Sequence, residues 1–303
     1  MRLESDPENE PDDAACLAAF VSPWSSMIDT PRDLWWELKG APLRLWSAVR
    51  PPKSRTVILH PGRTGSTILN LLLNQQPGVY FEGEYFGARY NYHAESSFKS
   101  MKPHRTPVKA MASRRRWRAG GGHFGVEVKV TDLPAHRRRT LPEIRRFLED
   151  AGGEHLVVLR RRNLVRWLIS QRKMLVSGDT HLQTTAAPNL RKADFTLDLD
   201  EPDPVQRPGM TIEAVLEHVE AMDRVLEILG RDANLELTYE DHVRDDPMVG
   251  LKAICGMLGF EPQSSSIPLR RTNPGPIESL ITNPDQLERR LRGTRWAWMI
   301  DAD

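Results

Sequence analysis

Apolar residues fall along the chain in two rhythms, separated by polar turns. Residues 55–60 (RTVILH) form a short apolar run bounded by Lys53 and Ser54 on one side and Pro61 on the other. Residues 124–130 (FGVEVKV) alternate, residues 155–159 (HLVVL) are a buried-type run, and residues 234–239 (NLELTY) read as a further strand. Between them lie segments with helical spacing. Residues 66–74 (STILNLLLN) place Ile68, Leu71 and Leu72 on one face, and residues 142–150 are closed by Gly152 and Gly153. Helices are also predicted over 163–175, over 210–229 before Gly230, and over 247–258, where Pro247 opens the helix and Gly259 follows it. Strands separated by helices predict an α/β fold with a parallel sheet covered on both faces.

Two stretches break this rhythm. Residues 89–122 are polar, basic and punctuated by Gly and Pro, and residues 176–209 are polar and Pro-rich. Insertions of this kind in an α/β domain read as lids or substrate loops. The first 15 residues are dominated by charge and Pro and read as disordered. A Trp-rich stretch follows within residues 16–50 (PRDLWWELKGAPLRLWSAV), which Gly40 and Pro42 divide into two short helices. Its apolar surface admits two readings: packing onto the main domain or a second subunit of a homodimer, or contact with a lipid surface as a peripheral membrane segment. The chain therefore divides into an N-terminal extension, 1–51, and an α/β domain, 52–303.

Composition narrows the function classes. Lys and Arg total 42 against 41 Asp and Glu, a formal charge of +1, so the basic excess of a general nucleic-acid binder is missing. A chain with 39% hydrophobic and 27% charged residues fits a globular protein. No apolar run approaches the ~20 residues of a membrane span. The acidic start MRLESDPENEPDDAAC lacks the pattern of a secretory signal. Cys16 and Cys255 provide neither a disulfide framework nor metal-ligand spacing and read as free thiols in a reducing compartment. The expected location is cytoplasmic.

The strongest local signal is VILHPGRTGSTILNLLL. An apolar strand enters Gly62, Arg63, Thr64, Gly65, Ser66 and Thr67, and a helix leaves. Gly62 and Gly65 permit a tight turn and close backbone approach to a ligand. The N–H groups opening the helix favour an anion, Ser66 and Thr67 add hydroxyl donors, and Arg63 adds a permanent, forked cation. With the strand–helix alternation this predicts a three-layer fold of P-loop type, a central parallel sheet flanked by helices. The turn departs from G-x-x-x-x-G-K-[ST], since no Lys precedes Ser66 and its glycines stand three apart. Magnesium-dependent phosphoryl transfer is therefore disfavoured, and no metal is expected.

The GRTGST string resembles the phosphosulfate-binding loop of sulfotransferases that use 3′-phosphoadenosine 5′-phosphosulfate (PAPS), in particular the bacterial branch acting on carbohydrates and glycolipids. Two further stretches resemble that family in the same order. In HLVVLRRRNLVRWLIS, Arg162 and Ser170 stand eight apart, the spacing at which the family holds the 3′-phosphate. The segments LELTYEDHVRDDPMVGLKAICGMLGF and RRTNPGPIESLITN resemble its C-terminal part, which makes Arg270 or Arg271 a nucleotide-binding candidate, with Arg271 preferred. The likeness covers residues 55–300 in patches and does not reach the first 50.

This resemblance implies transfer of a sulfuryl group from PAPS to a hydroxyl on a carbohydrate, glycolipid or other small acceptor, with release of 3′,5′-bisphosphoadenosine (PAP). A positioned base helps such a weak nucleophile by roughly 10²–10⁴-fold. The stretch GVYFEGEYFGARY selects Glu84 as that base, with Glu82 second and expected on the same face of an extended segment. Arg63 is expected to act by electrostatics on the bridging oxygen, a role typically worth about 2.7–4 kcal/mol. Lys129 faces either the acceptor or Asp132. His93, His104 and His123, and the basic runs 114–118 and 137–139, read as structural or solvated. Two rival classes remain: a P-loop kinase-like phosphotransferase and a non-catalytic nucleotide-binding protein.

Overall fold

The computed structural model describes residues 51–84, 116–131, 133, 140–177, 182–183, 195–204, 207–267, 269–271 and 273–302. The Trp-rich segment, Cys16, His93, His104, Asp132, Arg114, Arg115 and Arg137–Arg139 lie outside these residues, as do most of the first insertion and half of the second.

At the centre stands β1 (Ser54–His60), paired in parallel with β3 (His123–Lys129) on one side and β4 (His155–Arg160) on the other. The outer strands are β2 (Val79–Glu82) beside β3 and β6 (Leu235–Thr238) beside β4. The five-stranded sheet runs β2-β3-β1-β4-β6 and is parallel throughout, so the expected α/β class and parallel sheet are met. Val57, Ile58 and Leu59 are fully buried because both faces are covered. On one face Val57, Leu59, Val126, Val128 and Val158 meet α2 (Leu141–Ala151), α3 (Leu164–Ser177) and α4 (Ile212–Gly230). On the other, Ile58, Val157, Leu159 and Leu237 meet α1 (Ser66–Leu73) and α6 (Pro247–Met257).

Helix ends follow local chemistry. Thr140 and Glu143 form a reciprocal capping box at α2, and Gly152 closes that helix at φ 115°. Asp246 caps α6 through the Met248 N–H, with Pro247 in its first turn. The helix predicted from residue 210 starts at Ile212, because Thr211 is still extended at ψ 168°. Several elements were not expected: β2, the short α5 (Tyr239–His242), α7 (Pro284–Leu291), α8 (Trp298–Asp301), and an antiparallel pair of β5 (Leu182–Gln183) with β7 (Leu269–Arg270). All are short, so their patterns barely repeat. Cys255 is a buried thiol whose pKa burial raises to about 11, fitting an inert packing role. Arg116, expected in a solvated run, instead reaches the Asp150 carbonyl, and burial lowers its pKa to about 10. Among the described residues, no helix is long and apolar enough to cross a membrane.

Connections leave β1 and β4 toward opposite edges, so a crevice opens outside the carboxyl ends of these two neighbours. The 62–67 turn and the arginines 160–162 both emerge there.

One titration tests the packing of α4. Burial, aided by the Arg207 charge, lowers the pKa of His218 from 6.5 to about 4. The folded state refuses a proton that the unfolded chain takes, so stability falls as pH drops through that interval. Between pH 7.5 and about pH 5 this contributes about 1–2 kcal/mol of loss, and urea unfolding of His218→Leu should show that loss removed.

Candidate functional site

The 62–67 turn is built on positive backbone angles: φ is 81° at Gly62, 53° at Arg63 and 76° at Gly65. Arg63 is the only described non-glycine residue in this region, so the surrounding structure must hold it there. Three contacts do so. The Trp167 indole Nε1 donates to the Gly62 carbonyl at 2.9 Å, and Arg161 Nη1 donates to the Arg63 carbonyl at 2.7 Å. The Gly62 N–H donates to His60 Nδ1 at 3.0 Å. A trans peptide points its C=O and its following N–H in opposite directions. With the Gly62 and Arg63 carbonyls drawn inward, the N–H groups of Arg63 and Thr64 are aimed to the other side, toward the crevice. The N-terminus of α1 adds the N–H groups of its first turn, opened by Gly65 without a side-chain cap.

Charge is concentrated around this turn. The Arg63 guanidinium is largely buried, which lowers its pKa, while nearby Glu84 and Tyr239 act to raise it. Its Nε donates to Ser170 Oγ at 3.1 Å, and its Nη1 approaches Met174 Sδ at 3.7 Å. Arg161 lies over the Tyr239 ring, 4.5 Å from the centroid, and burial pushes its pKa down to about 10, still cationic at neutral pH. Lys129 Nζ pairs with Glu84 Oε2 at 2.5 Å. The same lysine runs beside the turn, with Cε 3.6 Å from where a Cβ on Gly62 would stand.

Beneath the turn lies a buried polar layer. His60 Nε2 and Glu127 Oε2 meet at 3.3 Å, and their side chains are 0% and 2% exposed. Burial opposes the Glu127 charge, but the side chains of His60, Ser66 and Asn70 outweigh it and hold the carboxyl below its ordinary range. Thr64 is fully buried and its hydroxyl has no partner among the described residues. His60, Glu84 and Glu127 bring ligand atoms within 4.8 Å of one another. The proton positions disfavour a metal ion there. His60 Nδ1 accepts from Gly62, so the neutral ring carries its proton on Nε2, the atom a metal would need. The ammonium of Lys129 already sits against Glu84.

Gly62, Arg63, Thr64, Gly65, Ser66 and Thr67 thus form one turn, and Glu84 stands beside it through Lys129. Ser170 reaches the turn as well, but through Arg63. Arg162 does not take that place. Its guanidinium is half exposed and pairs with Asp241 Oδ1 at 2.5 Å, while its N–H and that of Asn163 donate to Glu240. Arg271 is exposed, with Asp245 as an electrostatic neighbour. Glu82 and Glu84 diverge, because the strand and its alternation stop at Glu82. Glu82 accepts from Tyr80 at 2.6 Å and lies 3.9 Å from Arg118. His123 sits at the opposite end of β3 and contacts Ser54 Oγ at 2.7 Å. Lys129 takes Glu84 as its partner.

Sequence reasoning missed His60, Glu127 and Trp167, and ranked Arg161 below Arg162. A signal existed for Glu127, an acid inside an apolar strand (FGVEVKV), which costs too much to bury without a polar site around it. Trp167 carried none, since an apolar helical residue reads as core.

The turn predicts its own most sensitive position. A Cβ at Gly65 would meet Val243 Cγ1 at 2.5 Å, at a backbone angle that side chains disfavour. Gly65→Ala should cost on the order of 2–4 kcal/mol in urea unfolding, with loss of anion binding measured by calorimetry. No protein-family model matches the chain, and no curated protein matches it.

Proposed function

We propose that the chain is a PAPS-dependent sulfotransferase of P-loop type, acting on a hydroxyl of a carbohydrate, glycolipid or other small acceptor. The observation that carries this reading is the placement of a carboxylate, Glu84, beside a strand–turn–helix whose N–H groups face the same crevice. Arg63 and Lys129 flank that turn, and Arg161 adds a buried positive charge beneath it. A doubly charged 5′-phosphosulfate suits the turn and its cations. On this reading Ser170, which accepts from Arg63 Nε, serves the 3′-phosphate. Arg162 would join them by leaving Asp241, an exposed pair held by little energy.

In the reaction the acceptor oxygen attacks sulfur as the bond from sulfur to the bridging oxygen breaks. Glu84 takes the hydroxyl proton, and the electron pair of the broken bond stays on the 5′-phosphate of PAP. Lys129 and Arg63 offset the charge that grows on the departing oxygens. Against the kinase-like alternative, Ser66 stands directly after Gly65, where a nucleotide-hydrolysing loop carries the lysine that reaches the β- and γ-phosphates. The simultaneous presence of base, turn and cations argues against a purely nucleotide-binding role.

Thermal unfolding with PAP, AMP, and ATP plus magnesium tests the reading. A ligand at 100 times its Kd adds about 2.7 kcal/mol, so PAP should raise Tm by several degrees and AMP by much less. A shift with ATP and magnesium alone would overturn it. Glu84→Gln should lower turnover about 10²–10⁴-fold with PAP affinity within a few-fold of the parent. Turnover preserved in that variant would move the base elsewhere.

A further inference from the structure

The anion site does not by itself account for two residues beneath it. β1 ends in a histidine that is fully buried, and β3, otherwise apolar at its centre, carries Glu127 at 2% exposure. A buried ionised carboxylate is expensive unless several donors serve it. Here the donors belong to the turn or lead to it. Gly62 N–H donates to His60 Nδ1 at 3.0 Å, which leaves the imidazole proton on Nε2, and that atom lies 3.3 Å from Glu127 Oε2 in a close polar contact in which neither atom completes a hydrogen bond among the described residues. The Ser66 side chain favours the charged form of the same carboxylate. One buried charge is thereby linked to both ends of the turn, through His60 to Gly62 at its start and directly to Ser66 at its end.

We propose that His60 and Glu127 form a buried positioning couple that sets the anion-binding shape of the 62–67 turn. Glu127 selects the His60 tautomer whose Nδ1 accepts the Gly62 N–H, and the same carboxylate engages the Ser66 side chain. Neither residue touches the ligand. The inference rests on the turn being an anion site and not on which nucleotide occupies it.

Two substitutions separate the contacts. The asparagine amide in His60→Asn reaches the place of Nδ1 and can still accept from Gly62. The glutamine amide in His60→Gln reaches the place of Nε2 and can meet Glu127 only. Binding to the full-length protein is measured by calorimetry with pyrophosphate and with PAP, alongside ¹⁵N spectra of the histidine-labelled parent. Loss of one hydrogen bond that positions the turn should weaken anion binding about tenfold in His60→Gln, against about threefold or less in His60→Asn. The His60 signals should show a protonated Nε2 and an unprotonated Nδ1 at neutral pH.

A protonated Nδ1 overturns the couple whatever the ligand, and so do equal losses in the two variants. Failure to bind either anion overturns its role in anion binding. Pyrophosphate binding that keeps the predicted order of the variants, with no PAP binding, supports the couple and removes the nucleotide reading instead.

Discussion

A turn that offers its N–H groups to an anion must dispose of its carbonyl groups elsewhere. This constraint organises the site. The carbonyls of Gly62 and Arg63 are taken by an indole and a guanidinium that both rise from the segment after β4. A buried polar group without a partner costs about 1–3 kcal/mol, so Trp167 and Arg161 stabilise one peptide orientation over its flip. That orientation keeps Arg63 at φ 53°, an angle a non-glycine residue does not hold unaided. The turn is therefore shaped from β4 and α3 as much as by its own glycines.

The same region solves an electrostatic problem. The Arg63 charge lowers the tendency of Arg161 to hold its own, while burial opposes both. Tyr239, Glu84 and Glu240 act in the other direction, and a ring face under Arg161 replaces part of its lost hydration. On the far side of the turn the Lys129–Glu84 pair holds two opposite charges in contact. An anion entering the crevice meets cations already fixed by neighbours, so little reorganisation is needed when it binds. Trp167 extends this scaffold outward. Arg207 sits 5.8 Å over its ring and bonds the fully buried Asp203, which also faces Arg172.

The buried layer under the turn links this scaffold to the sheet. His60 and Glu127 occupy the carboxyl-terminal halves of adjacent strands, where parallel pairing sets Glu127 opposite Ile58 and leaves His60 two residues further along the same face of β1. Their burial depends on both faces of the sheet being covered, and their usefulness depends on lying next to the point where the chain leaves β1. Fold and site share one cause: the crevice between diverging connections is where strand ends, helix N-termini and turn backbones converge.

The period and punctuation of the sequence determined much of this. Apolar runs, helical spacing and glycine stops located β1, β3, β4, β6 and the main helices to within a few residues, because burial on two faces and helix capping are local chemistry. The GRTGST turn was legible for the same reason, as its glycines serve their own backbone. Tertiary structure alone decided where the side chains of Arg160, Arg161 and Arg162 point. Arg160 turns to Asp223 on α4 and Glu236 on β6, Arg161 runs under the turn, and Arg162 faces Asp241. The spacing to Ser170 singles out Arg162 among three identical residues at a strand end, but no local signal says where each side chain points. The choice belongs to the carboxylates, ring and carbonyl that distant segments bring to each, and those contacts span from 63 to 98 positions of sequence.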